Sequence, residues 1–112
     1  MTPDEHFELD KQVLNVLSRN YEYRLDEYWF KSATRSMVKS YSTGSHFDGI
    51  IDDLVANGFS VRMYVFAHET GSHVTIYGDA EMWDGKGETL YIALCRAIVA
   101  LGVEDNRVIH IP

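Results

Sequence analysis

The sequence predicts an α+β domain, a small antiparallel sheet with helices on both faces in an α-β-α sandwich, and three observations lead to it. Apolar residues recur at helical spacing in three separate stretches. Between the second and third of these lies a run rich in β-branched and aromatic residues, from Phe59 to Ala67. Both alternating sets of that run, Phe59/Val61/Met63/Val65 and Tyr64/Phe66, are largely apolar, which reads as a central strand covered on both faces. At 112 residues the chain is expected to form one domain, 1–112, with a core large enough to stand without disulfides or metal.

The first helix starts at Thr2-Pro3-Asp4-Glu5. Thr2 can accept from the backbone of Glu5, Glu5 can reach back, and Pro3 suits the first helical position. Leu9, Val13, Val16 and Leu17 then form one apolar stripe, and the helix is expected to run to about Ser18. From Tyr21 the period changes: Tyr21, Tyr23 and Leu25 alternate with charged residues before the cluster Tyr28-Trp29-Phe30, a pattern that reads as a short strand or extended segment. Residues 31 to 46 show no clear period and are expected to form a mobile loop.

Ser45 and Asp48 offer a second capping signal. Phe47, Ile50, Ile51, Leu54 and Val55 follow at helical spacing until Asn57-Gly58 closes the helix. After the Phe59 strand, Glu69-Thr70-Gly71-Ser72 reads as a hairpin turn into a second strand from His73 to about Trp83. Asp84-Gly85-Lys86-Gly87 reads as a connecting turn, and Leu90, Leu94, Ala97, Ile98 and Leu101 mark a third helix stopping at Gly102. The tail from Val103 to Pro112 adds an edge strand or frays.

The net charge of −7, from 17 acidic and 10 basic residues, repels phosphate backbones and argues against direct nucleic-acid binding. No run of apolar residues is long enough for a membrane span, and the acidic start MTPDEHFELD lacks the pattern of a signal peptide. The chain is therefore expected to remain in the compartment where it is made, and a single cysteine, Cys95, suits a reducing one.

The search for chemistry returns little. His6, His46, His68, His73 and His110 lie in different elements, without a zinc spacing. His68 and His73 flank the expected hairpin turn with only Glu69 nearby as a further ligand. His46, Asp48 and Asp52 share one helix, where they read as its solvent side. Cys95, between Leu94 and Ala97, reads as a core cysteine. Gly85-Lys86-Gly87-Glu88 fits neither the P-loop nor the dinucleotide fingerprint. No catalytic, metal or cofactor site is expected. Aromatic residues are abundant, and Tyr77 and Trp83 lie beside Asp79, Glu81 and Asp84. These five residues are the expected protein-interaction edge, since interfaces favour aromatics with a wet rim.

Tyr41-Ser42-Thr43 leading into a helix, two strands ending near Trp83, then Glu88-Thr89-Leu90 and Ala93-Leu94-Cys95-Arg96-Ala97 together resemble the phage α-β-α sandwich domain family. The resemblance spans roughly Tyr41 to Gly102, with an echo in Glu8-Leu9-Asp10. It departs from the family at Phe47, where a tryptophan is expected, and in segment 20–40. It implies a small bacteriophage or prophage protein in the cytoplasm of a bacterial host, and it brings no catalytic residues. The leading expectation is an accessory protein acting by protein binding on a host or phage protein. In its sharper form it is an acidic inhibitor of a host or defence nucleic-acid-binding protein. Two expectations from other classes stand beside it: a small metal-dependent hydrolase using His46, Asp48 and Asp52 or the His68/His73 pair, and a homo-oligomeric structural or packaging component.

Overall fold

The computed structural model describes residues 1–17, 27–65 and 71–104. Its elements are helices α1 (Pro3–Leu17), α2 (Glu27–Ser32), α3 (Phe47–Ala56) and α4 (Leu90–Glu104), strands β1 (Ser60–Val65), β2 (Ser72–Gly78) and β3 (Glu81–Gly87), and 3-10 turns at Arg35–Met37 and Tyr41–Thr43. The fold is α+β: a three-stranded antiparallel sheet in the order β1-β2-β3, with helices packed against it.

The α1 start is the predicted capping box. The Glu5 N–H donates to Thr2 Oγ1 at 3.2 Å, and the Thr2 N–H donates to Glu5 Oε1 at 3.1 Å. These contacts hold the Glu5 carboxyl below its ordinary value. Tyr28-Trp29-Phe30 is helical rather than extended. The Ala33 N–H reaches the Trp29 carbonyl at 2.8 Å, and Lys11 Nζ donates to the Phe30 carbonyl at 2.9 Å, fastening α2 to α1. The expected strand at Tyr21, Tyr23 and Leu25 lies outside the described residues.

The expected mobile loop instead contains two 3-10 turns, of which the second is anchored by buried residues. Tyr41 and Ser42 are buried, and the Ser42 N–H donates to Asp10 Oδ1 at 2.7 Å. The anchor is polar and distant in sequence, so it leaves no periodic trace. Helix α3 buries Ile50 and Leu54 and ends at Asn57-Gly58, as predicted. Its N-cap, however, is His46 at φ 61°, without a side-chain cap bond, rather than Ser45.

The strand register sorts the sheet residues into two faces. On one face the cross-strand rows are Val61–Ile76–Trp83, Met63–Val74–Gly85 and Val65–Ser72–Gly87. On the other they are Ser60–Tyr77–Met82, Arg62–Thr75–Asp84 and Tyr64–His73–Lys86. Helix α4 lies on the first face, over β3 and β2. Val74, Ile76 and Trp83 are buried beneath it, and Phe59 meets Trp83 edge-on at 6.1 Å between ring centroids. The second face is turned largely to solvent: Arg62, Met82, Asp84 and Lys86 are exposed and Tyr64, His73 and Tyr77 half-buried, with Thr75 buried at its centre.

Two strand expectations are corrected by this register. The Phe59 run supplies β1, which among the described residues is an edge strand rather than a central one; Met63 and Val65 remain 44% and 69% exposed. The central strand is β2. The His73–Trp83 stretch is two strands, broken at Asp79-Ala80, and Asp84-Gly85-Lys86-Gly87 is the end of β3 rather than a turn. Gly85 and Gly87 are required by packing: a Cβ at Gly85 would collide with the α4 backbone at Ala93 and Ala97, and one at Gly87 with Ile92.

Helix α4 also runs past its predicted stop. Gly102 lies inside it, and a Cβ there would strike Val16 of α1. Thr89 Oγ1 accepts the Ile92 N–H at its start. Ile92, Ala93, Leu94, Cys95, Ala97, Ile98 and Leu101 are all buried, because the sheet lies on one side of α4 and α1 with the second 3-10 turn on the other. The tail from residue 105 lies outside the described residues.

Candidate functional site

The predicted interaction residues divide between the two faces. Trp83 is 2% exposed in the core and cannot meet a partner. Tyr77 and Asp84 are on the solvent-turned face, and Asp79 and Glu81 are exposed at the β2–β3 turn. Alternation explains the split: Trp83 is one residue from Met82 and Asp84, so a surface containing both neighbours excludes it.

The solvent-turned face carries a connected polar set that sequence spacing did not reveal. Asp84 Oδ1 accepts from Thr75 Oγ1 at 2.6 Å and contacts His73 Nε2 at 2.8 Å. The Thr75 hydroxyl and His73 hold the Asp84 carboxyl below its ordinary value, so it stays ionised in mildly acidic solution. The Arg62 guanidinium lies over the Tyr77 ring at 5.3 Å, and the Tyr64 and His73 rings meet at 5.7 Å. Their spacings in sequence, 11 residues from His73 to Asp84 and 15 from Arg62 to Tyr77, become cross-strand neighbours only once the register is known.

A second region, which the sequence reading missed, is a cleft of about 290 Å³ between α1 and the 3-10 turns, lined by Pro3, His6, Phe7, Asp10, Arg35, Val38, Ser40 and Thr43. Asp10 is 6% exposed, and burial raises its carboxyl above the ordinary value despite the Ser42 bond. His6 Nδ1 lies 2.7 Å from Ser42 Oγ. Serine, histidine and aspartate are thus gathered, but not as a hydrolase triad. Asp10 binds the backbone of Ser42 rather than the His6 ring, and Ser42 at 1% exposure admits no substrate carbon. The network holds the Tyr41–Thr43 turn onto α1.

The remaining candidates do not converge. Among the described residues no three His, Cys, Asp or Glu side chains are grouped to hold a metal ion. The His46 ring lies against Gly49, Asp48 and Asp52 are exposed, and His68 lies outside the described residues. Cys95 is buried, and desolvation pushes its thiol up to about 12, far from a reactive thiolate. No described helix is long and apolar enough to cross a membrane. No family model, curated protein or solved structure matches the chain.

Proposed function

We propose that this chain is a protein-binding domain that receives its partner on the solvent-turned sheet face and the β2–β3 turn. The observation that carries the reading is the pairing of Tyr77 with Arg62, and of Asp84 with His73 and Thr75, on one face of a sheet whose other face packs the core. Such a face offers aromatic area and fixed charges already held in place, which lowers the ordering cost of association. The acidic turn residues Asp79 and Glu81 and the net charge of −7 favour a basic partner. Together with the resemblance to the phage family, they support the narrower reading of a phage or prophage accessory protein in a bacterial cytoplasm that occupies a basic nucleic-acid-binding surface.

Affinity capture from lysate of the encoding organism tests this. Tyr77→Ala and the pair Asp79→Lys/Glu81→Lys are expected to release a protein that the unaltered chain retains. Retention of the same protein by both variants would contradict the reading.

A second reading, a homo-oligomer, is favoured by one feature. Met63 and Val65 are exposed on β1, and among the described residues no strand pairs with its outer edge. Light scattering that finds only monomer at high concentration would remove it.

A further inference from the structure

The cleft beside α1 has a floor and walls of different character. Its lining includes the buried Asp10, whose Oδ1 takes the Ser42 N–H. Phe7, Val38 and Pro3 supply apolar walls, and its volume is near the lower end of ligand sites, about 300–1,000 Å³. The cations nearby have carboxylate partners of their own and also lie over the Phe7 ring, Lys11 Nζ at 4.6 Å and the Arg35 guanidinium at 5.0 Å from its centroid. Arg35 Nη2 pairs with Asp4 at 2.6 Å, and its Nη1 donates to the Pro3 carbonyl at 3.1 Å. Lys11 pairs with Glu8 at 2.6 Å and donates to the Phe30 carbonyl. No cation among the described residues stands within ion-pair distance of Asp10. A carboxylate nine-tenths buried without a counter-charge is costly unless something supplies one.

We propose that this cleft is a binding site for a small organic cation, an amine or amidine on a flat apolar body, whose charged head pairs with Asp10 while its body lies against Val38 and Pro3. The sign of the ligand follows from Asp10 itself: of the other titratable groups lining the cleft, Arg35 already pairs with Asp4, and His6 Nδ1 lies against Ser42 Oγ at 2.7 Å rather than within ion-pair distance of Asp10. Exposed aspartates such as Asp48 and Asp52 have no comparable enclosure. The site is independent of the sheet face, so failure of either proposal leaves the other standing.

Titration with benzamidine, followed by chemical shifts of the α1 amides, tests it, with benzoate and benzamide as anionic and neutral analogues of the same shape. Saturable binding of benzamidine alone is expected, weakened at least tenfold in Asp10→Asn, where the amide oxygen can still accept the Ser42 N–H. Val38→Trp, which fills the cleft without touching the carboxylate, is expected to abolish binding and decides the matter should Asp10→Asn fail to fold. A free cation and the tip of a protein's arginine share this chemistry. Displacement of benzamidine by a capped Gly-Arg-Gly peptide at equal concentration assigns the site to a protein side chain, and retention assigns it to a free molecule. Absence of saturation, equal binding of benzoate, or unchanged affinity in the two variants would overturn the proposal.

Discussion

The two faces of the sheet use the same three strands and the same residue alternation, yet they do opposite things. The α4 side is close contact: Val74, Ile76 and Trp83 are buried, and Gly85 and Gly87 leave the α4 backbone no room for a Cβ. The other side is an array of directed polar contacts, with Arg62 over Tyr77 and Asp84 joined to Thr75 and His73. The difference teaches where free energy of folding resides and where surface is left for function. Apolar burial and tight packing hold the first face. Interactions on the second lie at the surface and are individually weak, so they shape a surface more than they hold a fold.

Substitutions can break this comparison, beginning on the packed face. Gly85→Ala puts a methyl into the α4 backbone and is expected to cost more than about 4 kcal/mol, or to abolish folding, in urea denaturation. Trp83→Ala removes the largest fully buried side chain, with an expected loss of about 3–5 kcal/mol. On the solvent-turned face Tyr77→Ala is expected to cost no more than about 1 kcal/mol while removing partner capture. A stability loss at Tyr77 as large as that at Trp83 would erase the distinction between the faces.

The smallest effects are those of pH, and they sharpen a second contrast, between the sheet face and the cleft. Asp84 has a lowered pKa, so its contribution to stability is present above its unfolded value, near 3.8, and is lost as pH falls through the lower folded value. Asp10 has a raised pKa, so the penalty of its buried charge is present at neutral pH and is relieved as pH falls through the folded value, above 3.8. Thermal melts from pH 7 to pH 2 should therefore show opposite slopes in the two differences. Asp10→Asn is expected to be no less stable than the parent at pH 7 and to converge with it in acid. Asp84→Asn is expected to be less stable at pH 7 and to converge only below the range in which Asp10 has done so.

Much of the helical part of this fold is legible in sequence. Leu9, Val13, Val16 and Leu17 mark the buried stripe of α1, and the Thr2/Glu5 capping box forms as written. The glycines mislead, because the sequence does not say whether a glycine is needed for a turn or for close approach. Asn57-Gly58 does close α3, whereas Gly85, Gly87 and Gly102 are packing positions inside a strand and a helix. For the same reason β3 and the last turn of α4 escape the pattern. The apolar content of β1 suggests a central strand, but among the described residues it pairs with β2 alone, and α4 packs over the glycine-bearing β3 and over β2 instead. Of the candidate interface, Tyr77, Asp79, Glu81 and Asp84 are at the surface and Trp83 is not. Arg62, Tyr64 and His73 join them only through cross-strand register. The cleft is illegible altogether, since Asp10 and Ser42 are 32 residues apart and meet through a backbone N–H that carries no side-chain signature.

The central claim, that the solvent-turned sheet face meets a partner, is tested most directly by site-specific photo-crosslinking in cells of the encoding organism. A benzophenone side chain replaces either Tyr77 on that face or Tyr91, which is 39% exposed on α4. The account predicts a discrete cross-linked species from position 77 and none from position 91. A species from position 91 alone, or from neither position, would contradict it.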